Sequence, residues 1–378
     1  MEIIKHIVAA AMAFFAQFQL LLPGADLSPK ELGIPTAKTY TEQQRLSSSV
    51  WDMEICDGVL YIGAGDYSAN TGPTPIWAYD TEEETWSVSA VVEDEAVCRF
   101  CKTEDALIAP GIDSSGNSWE YGNYHTLSDN QWTSFQKLPG AVHNFDVILY
   151  GGRYFFALGT ADGEISPVLT SVDGLTDFQP VSFYNDEKSL LDGSCSYTRV
   201  YDFFSVGGSL YCLLCCYTEE TSATPMICRY EDGAFRYVND IDLDVKYWKQ
   251  IPVMGKATLG PVQYFTTGIL YKTTDFSDIT PVEMPDGGTV TDLYTYDLGQ
   301  RELLYALSNV KNADGSYTAT VYLVEESITA VASHTATAPA LSLVRYGMCF
   351  YLGLGGDKKL PDTGKVVRLS VFDRLLGR

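Results

Sequence analysis

Only four histidines occur in 378 residues, which leaves little material for imidazole chemistry. The chain has no His-Glu-x-x-His, no glycine-rich phosphate loop and no Gly-x-Ser-x-Gly elbow. Zinc-peptidase, nucleotide-binding and serine-hydrolase chemistries therefore lack their usual signatures. Basic residues are also scarce: 25 Lys and Arg stand against 49 Asp and Glu, a net charge of −24. With no basic run to reverse that balance locally, nucleic acid and anionic membrane surfaces are excluded as partners.

A disulfide framework is missing too. Nine cysteines, at positions 56, 98, 101, 195, 212, 215, 216, 228 and 349, are odd in number and lie mostly inside apolar strand-like runs. They read as buried thiols, which favours a reducing environment. The pairs Cys98/Cys101 and Cys212/Cys215 have knuckle spacing. In strands, however, residues three apart point to opposite faces, so neither pair can grip one ion. No metal and no cofactor is expected.

Long apolar runs reduce to one, Ile7 to Leu22, preceded by Lys5-His6 and closed by Pro23-Gly24-Ala25. It resembles a signal peptide or short anchor, which would place the protein outside the cell or at its surface. Gln17 and Gln19 interrupt the run, and it is short for a membrane span. The other reading is a short apolar helix docked on the protein, compatible with a cytoplasmic or virion-associated location. Membrane contact is expected only through residues 7–22, if they form an uncleaved anchor.

What the chain has in abundance is repetition. The unit is clearest at Trp51-Asp52-Met53-Glu54-Ile55-Cys56-Asp57-Gly58-Val59-Leu60-Tyr61-Ile62-Gly63, followed by Ile76-Trp77-Ala78-Tyr79-Asp80 and Thr85-Trp86-Ser87-Val88. Aromatic and β-branched runs bounded by Gly and Asp return at Leu107-Ile108, Tyr154-Phe155-Phe156, Leu210-Tyr211-Cys212 and Cys349-Phe350-Tyr351. Tight turns are expected at Asp57-Gly58, Gly151-Gly152, Gly207-Gly208 and Asp232-Gly233. Strand-and-turn units recurring every ~40–50 residues predict an all-β fold, a β-propeller. Seven four-stranded blades are expected between Val50 and Val371, with six as the alternative, together with the short N-terminal apolar helix. Residues 1–34 form the N-terminal apolar segment and linker, and 35–378 a single propeller domain. The last blade shows three strands, so Pro35–Gln43 is expected to supply its fourth.

The hairpin Ile76-Trp77-Ala78-Tyr79-Asp80-Thr81-Glu82-Glu83-Glu84-Thr85-Trp86 resembles a kelch-like blade, and Gly355-Gly356 keeps the kelch glycine pair. Ser171-Val172-Asp173-Gly174-Leu175-Thr176-Asp177-Phe178 resembles a sialidase Asp-box. The resemblance implies propeller architecture and no activity. A sialidase would need three arginines on one carboxylate. Arg99 and Arg199 are axial, but Arg153 follows a hairpin glycine away from them, so that triad is not met.

Candidate site residues come from the first strand of each blade, which lines a propeller's axis. Six residues before the hairpin glycine stand Asp52, Asp146 and Asp202, with Arg99 in the matching place of the second blade and Lys249, Asp292 and Ser342 in later ones. Two roles are open. The carboxylates tie blade to blade through backbone N–H groups or neighbouring Arg and Lys, or they form an acidic axial pocket for a ligand or for acid–base work. In a meander, the first-strand starts and the loops between second and third strands share one face. That face gathers Trp51, Asp66, Tyr67, Trp119, Tyr121, His143, Asn144, Arg199 and Tyr201. Aromatic rings beside Asp, Asn and Arg suit sugar stacking and hydrogen bonding. The expected function is a non-catalytic binding module taking a glycan or protein partner through this loop-rich face. The alternatives are a carbohydrate-active hydrolase or lyase using the acidic axial pocket, and a structural component of a surface or virion assembly.

Overall fold

In a computed structural model, the described residues are 28–38, 48–68, 72–103, 106–114, 120–191, 193–218, 225–241, 253–299 and 301–370. The expected hairpin turns are left-handed pairs, as at Asp57–Gly58 with φ of 49° and 82°. Between them, apolar residues alternate into strands that hydrogen-bond to their sequence neighbours in antiparallel meanders.

Five sheets are discrete four-stranded blades. One comprises Asp52–Cys56, Val59–Gly63, Thr74–Asp80 and Thr85–Val92. The others begin at Cys101–Lys102, Gly255–Leu259 and Thr289–Asp297, and the last closes the ring. The rest of the ring is one twelve-stranded sheet. It holds the meanders that start at Ala141–Tyr150 and Tyr197–Val206, joined through the pair Gly159–Arg199. The expectation of seven or six separate four-stranded blades is thereby corrected to five. The sheet boundaries dissolve where Asp94–Ala96 and Ile112–Ser114 pair with one another and then with His143. Gly159 makes room for this, since a Cβ there would lie 2.8 Å from the His143 ring.

The helix expectation is corrected as well. The only helical segment among the described residues is a 3-10 turn, Pro35–Lys38. No helix there is long and apolar enough to cross a membrane, and residues 7–22 lie outside the described residues.

The closing strand is Ser28–Gly33, not Pro35–Gln43, and it pairs antiparallel with Val366–Ser370. Trp86 Nε1 donates to Leu32 O at 2.7 Å, and Glu84 bridges Lys30 (2.6 Å) and Arg368 (2.9 Å), fastening the chain's beginning and end to the next blade. Apolar clusters fill the spaces between consecutive blades. A central one runs from Trp51 through Phe145 and Tyr201 to Phe265 and Leu341.

Candidate functional site: the axis and its loop-rich mouth

At the axial positions a β-bulge recurs. Register shifts fall between Asn144 and Asp146, Val200 and Asp202, Val290 and Asp292, and Ala340 and Ser342. Such a bulge re-aims the following side chain, and at Asp146 and Asp292 it points the carboxylate at the next first strand, as Asp52 does from a pair in continuous register. Asp52 Oδ2 accepts from Phe100 N (2.6 Å), Asp146 Oδ2 from Phe203 N (2.8 Å) and Asp292 Oδ2 from Leu343 N (2.7 Å). The donor is each time the residue just after the partner strand's own axial residue.

Across the axis the charges cancel. Arg99 donates to Asp202 Oδ1 at 2.5 Å and to Val253 O at 2.8 Å. Lys256 pairs with Asp146 and donates to Phe203 O at 2.8 Å. Burial pushes the Asp146 carboxyl up, but Lys256 and Arg99 overcome it and hold it below its ordinary value. For Asp202 burial wins, and the group rises to about 6 despite the same two cations. Lys249 lies outside the described residues; Lys256, at the true start of that blade, holds the cationic place expected of it. A cavity of about 300 Å³ opens below this cluster, lined by Asp52, Glu54, Arg99, Lys102, Lys256 and Asp292 among others. Its carboxylates are engaged by amides and cations, as blade-to-blade ties require.

The loop-rich mouth is different. Tyr197, Arg199 and Tyr201 alternate along one strand, and Tyr217 is the Cα partner of Tyr197 on the next. Tyr197 and Tyr217 stack at 4.6 Å with their planes 12° apart. The Arg199 guanidinium lies 5.3–6.0 Å from the rings of Tyr197, Tyr217, Phe145 and Tyr201, a distance at which cation–π attraction operates. Arg199 Nη1 donates to Tyr201 Oη at 3.2 Å, and Tyr201 and Tyr217 hydroxyls meet at 2.7 Å.

Beside this cage His143 lies with Nδ1 3.0 Å from Asp113 Oδ1 and Nε2 3.5 Å from Arg199 Nη2. Burial, and then the Arg199 charge, lower the His143 pKa to about 3, so the ring is neutral at physiological pH. Glu95, in contact with Asp113, is pushed up to about 8 by burial, reinforced by Asp113, Asp66 and Asp94. Asp113 itself rises to about 6 through burial, against the pull of Arg199. Behind Glu95, Asp94 is fixed by His125 Nε2 at 2.7 Å and by the Asn123 amide, and His125 Nδ1 meets Ser134 Oγ at 2.8 Å. That Asp–His–Ser chain supports the wall of the mouth: Asp94 and His125 are fully buried.

The proton on Glu95 makes stability depend on pH. The unfolded carboxyl releases its proton near 4.5, while the folded one keeps it to about 8. Its stabilising contribution is therefore fully present below about 4.5 and is lost as pH rises through about 8. Asp113 and Asp202, raised to about 6, are half-titrated there and largely ionised only above about 7. Between about 7 and 8, Glu95→Gln is expected to flatten the fall of the urea midpoint with pH; an unchanged slope would show that the proton resides elsewhere.

Of the sequence-derived residues, Asp66, His143, Arg199 and Tyr201 meet at this mouth. Trp51 packs on Tyr67 at 5.4 Å and donates to Gly65 O at 2.7 Å, but it is fully buried and offers no face to a ligand. Asn144, Asp146 and Asp202 are likewise enclosed, with the Asn144 amide 3.2 Å from the carbonyls of Asp146 and Ala157. Asp66 is buried and accepts from Ser68 N and Oγ. Tyr121 is exposed, and Trp119 lies outside the described residues. Glu95, Asp113, Tyr197, Tyr217 and Lys256 are additions of the structure. Tyr197 had a legible signal, standing two residues before Arg199 and so on the same strand face. The cysteines form no disulfide, and no metal-holding cluster of His, Cys, Asp or Glu occurs, among the described residues.

No family model matches the chain, and no curated protein matches it. Solved structures do. A chain of the mitotic checkpoint complex aligns with a TM-score of 0.52 at 7% identity, over 93% of this chain and 94% of that one. An ulvan lyase, described as a new family of polysaccharide lyase, aligns at 0.50 and 10% identity over 90% and 96%. BamB from Moraxella catarrhalis aligns at 0.43 and 13% identity, over 88% of both chains. At such identities the likeness shows the β-propeller fold and nothing finer; the kelch and Asp-box features are not distinguished by it.

Proposed function

We propose that this chain is a β-propeller binding module that recognises a glycan through its loop-rich mouth. The observation that carries the reading is the stacked, half-buried pair Tyr197/Tyr217 around Arg199, with Glu95, Asp113 and His143 alongside. Ring faces suit the apolar faces of sugars, and the polar groups suit their hydroxyls. Tyr197→Ala and Tyr217→Ala are each expected to weaken glycan binding by about tenfold, the scale of a buried aromatic contact. A glycan array followed by calorimetry on the full chain tests this. Binding of a protein partner, with silence from every sugar, would replace the glycan reading.

A carbohydrate-active role finds only partial support at this mouth: burial pushes Glu95 up to about 8, the protonated state a general acid needs, but the group is 4% exposed and bonded to Asp113. The axial pocket supports it less, because its carboxylates are already bonded. Product release from any glycan that binds would decide between binding and turnover.

A further inference from the structure

We infer that the glycan taken at this mouth carries a carboxylate, a uronic acid unit, seated on Arg199. The inference rests on the glycan reading and narrows it. Arg99, Arg229, Arg301 and Arg368 each have a carboxylate partner. Arg199 has none within ion-pair distance among the described residues, and its Nε has no acceptor. Arg153, Arg236 and Arg345 also lack a carboxylate, but Arg153 Nε donates to Thr170 Oγ1 and Arg236 Nη1 to Asp186 O, both away from this mouth, and Arg345 is enclosed by Tyr296, Tyr305 and Phe350 and only 2% exposed, so no ligand reaches it. Arg199 is only partly buried. Guanidinium against carboxylate is the strong, geometrically specific pair for such a place, strengthened by the low polarity of the rings around it.

The surroundings limit the anion to a single charge. Asp66, Asp94, Glu95 and Asp113 crowd the same mouth in a protein of net charge −24. Seated on the guanidinium, a monoanion meets less repulsion from them than a phosphate dianion or a densely sulfated chain would. The neutral His143 adds no second cation. Partly exposed Asp113 can accept from a sugar hydroxyl, while the enclosed Glu95, hydrogen-bonded to Asp113, lies behind it.

Calorimetry on the full chain tests the inference with three probes. They are neutral oligosaccharides carrying a single galacturonate, glucuronate or mannuronate unit, the same oligomers with that carboxylate reduced to an alcohol, and the same oligomers carrying one sulfate in place of the uronate. The uronates are expected to bind at least about tenfold more tightly than the reduced forms, and Arg199→Gln to remove that advantage. Arg199→Lys, which keeps the charge without the planar fork, should fall between them. Thermal unfolding of each variant checks the fold, and the reduced-oligomer comparison needs no variant at all. Equal binding of reduced and acidic forms would overturn the carboxylate while leaving the glycan reading standing, and so would binding of sulfated probes alone. A folded wild-type chain that binds no sugar of any charge would overturn both.

Discussion

Arg99→Met is expected to destabilise the fold by ~3–5 kcal/mol, the range for removing one partner of a buried ion pair. Arg99 is 8% exposed and lies against Asp202 at 2.5 Å and Asp146 at 3.7 Å, both buried at 1% exposure or less. Without the guanidinium Asp202 keeps only Lys256, 3.5 Å away, while Asp146 and its Lys256 contact survive. The orphaned Asp202 would hold its proton to a higher pH than the wild-type value of about 6, so the deficit should shrink as pH falls toward about 6 and level off below it. Adding Asp202→Asn to Arg99→Met should recover a large part of the loss, since no uncompensated charge then remains. Urea denaturation of the single and double variants at two pH values checks this. A single-variant loss under about 1 kcal/mol would mean that the cluster is solvated and does not clamp the axis.

Trp51→Ala should cost about as much, ~3–5 kcal/mol, for a different reason. The indole is fully buried in the central apolar cluster, packs on Tyr67 and donates to Gly65 O. Its removal leaves a cavity and an unsatisfied carbonyl beneath the mouth. Trp51→Phe keeps most of the packing and should lose clearly less. Since typical domains are stable by only ~5–15 kcal/mol, the alanine variant should show a large drop in urea midpoint. Binding at the mouth should persist in the fraction that stays folded. A midpoint within error of wild type would place Trp51 at the surface instead.

The contrast between these two residues shows how far side-chain chemistry could be read in advance. Trp51, next to the axial Asp52, looked equally suited to stacking on a ligand or to filling a core. Only the closeness of Gly65 and Ala96 decides for the core: a Cβ on Gly65 would lie 2.2 Å from Glu95 O, so the backbone there folds tightly over the indole. Arg99 and Asp202 were legible as axial residues by counting back from hairpin glycines, yet their pairing spans 103 positions and depends on which strands face each other across the ring. Tyr217 was hidden by the bulge after Val200. Counting from the pair Val206–Ser209 sets Tyr217 one residue out of register with Tyr197, and the bulge restores the match.

Local chemistry, then, was determined by sequence alone: the strands, the left-handed turns, the β-propeller class and the axial placing of Asp52, Asp146 and Asp202. Each follows from short-range rules, since alternation sets a strand's faces and an Asp-Gly or Gly-Gly pair sets a turn. Tertiary structure alone decided that five blades are discrete and that the remainder fuses into one twelve-stranded sheet. The short strands Asp94–Ala96 and Ile112–Ser114 carry almost no pattern of their own, and they exist because neighbouring meanders offer them unpaired backbone groups. The same fusion carries Glu95 and Asp113 to His143 and Arg199. Proton affinities there are set by burial and by charges from distant segments, quantities that belong to the folded chain and to no stretch of its sequence.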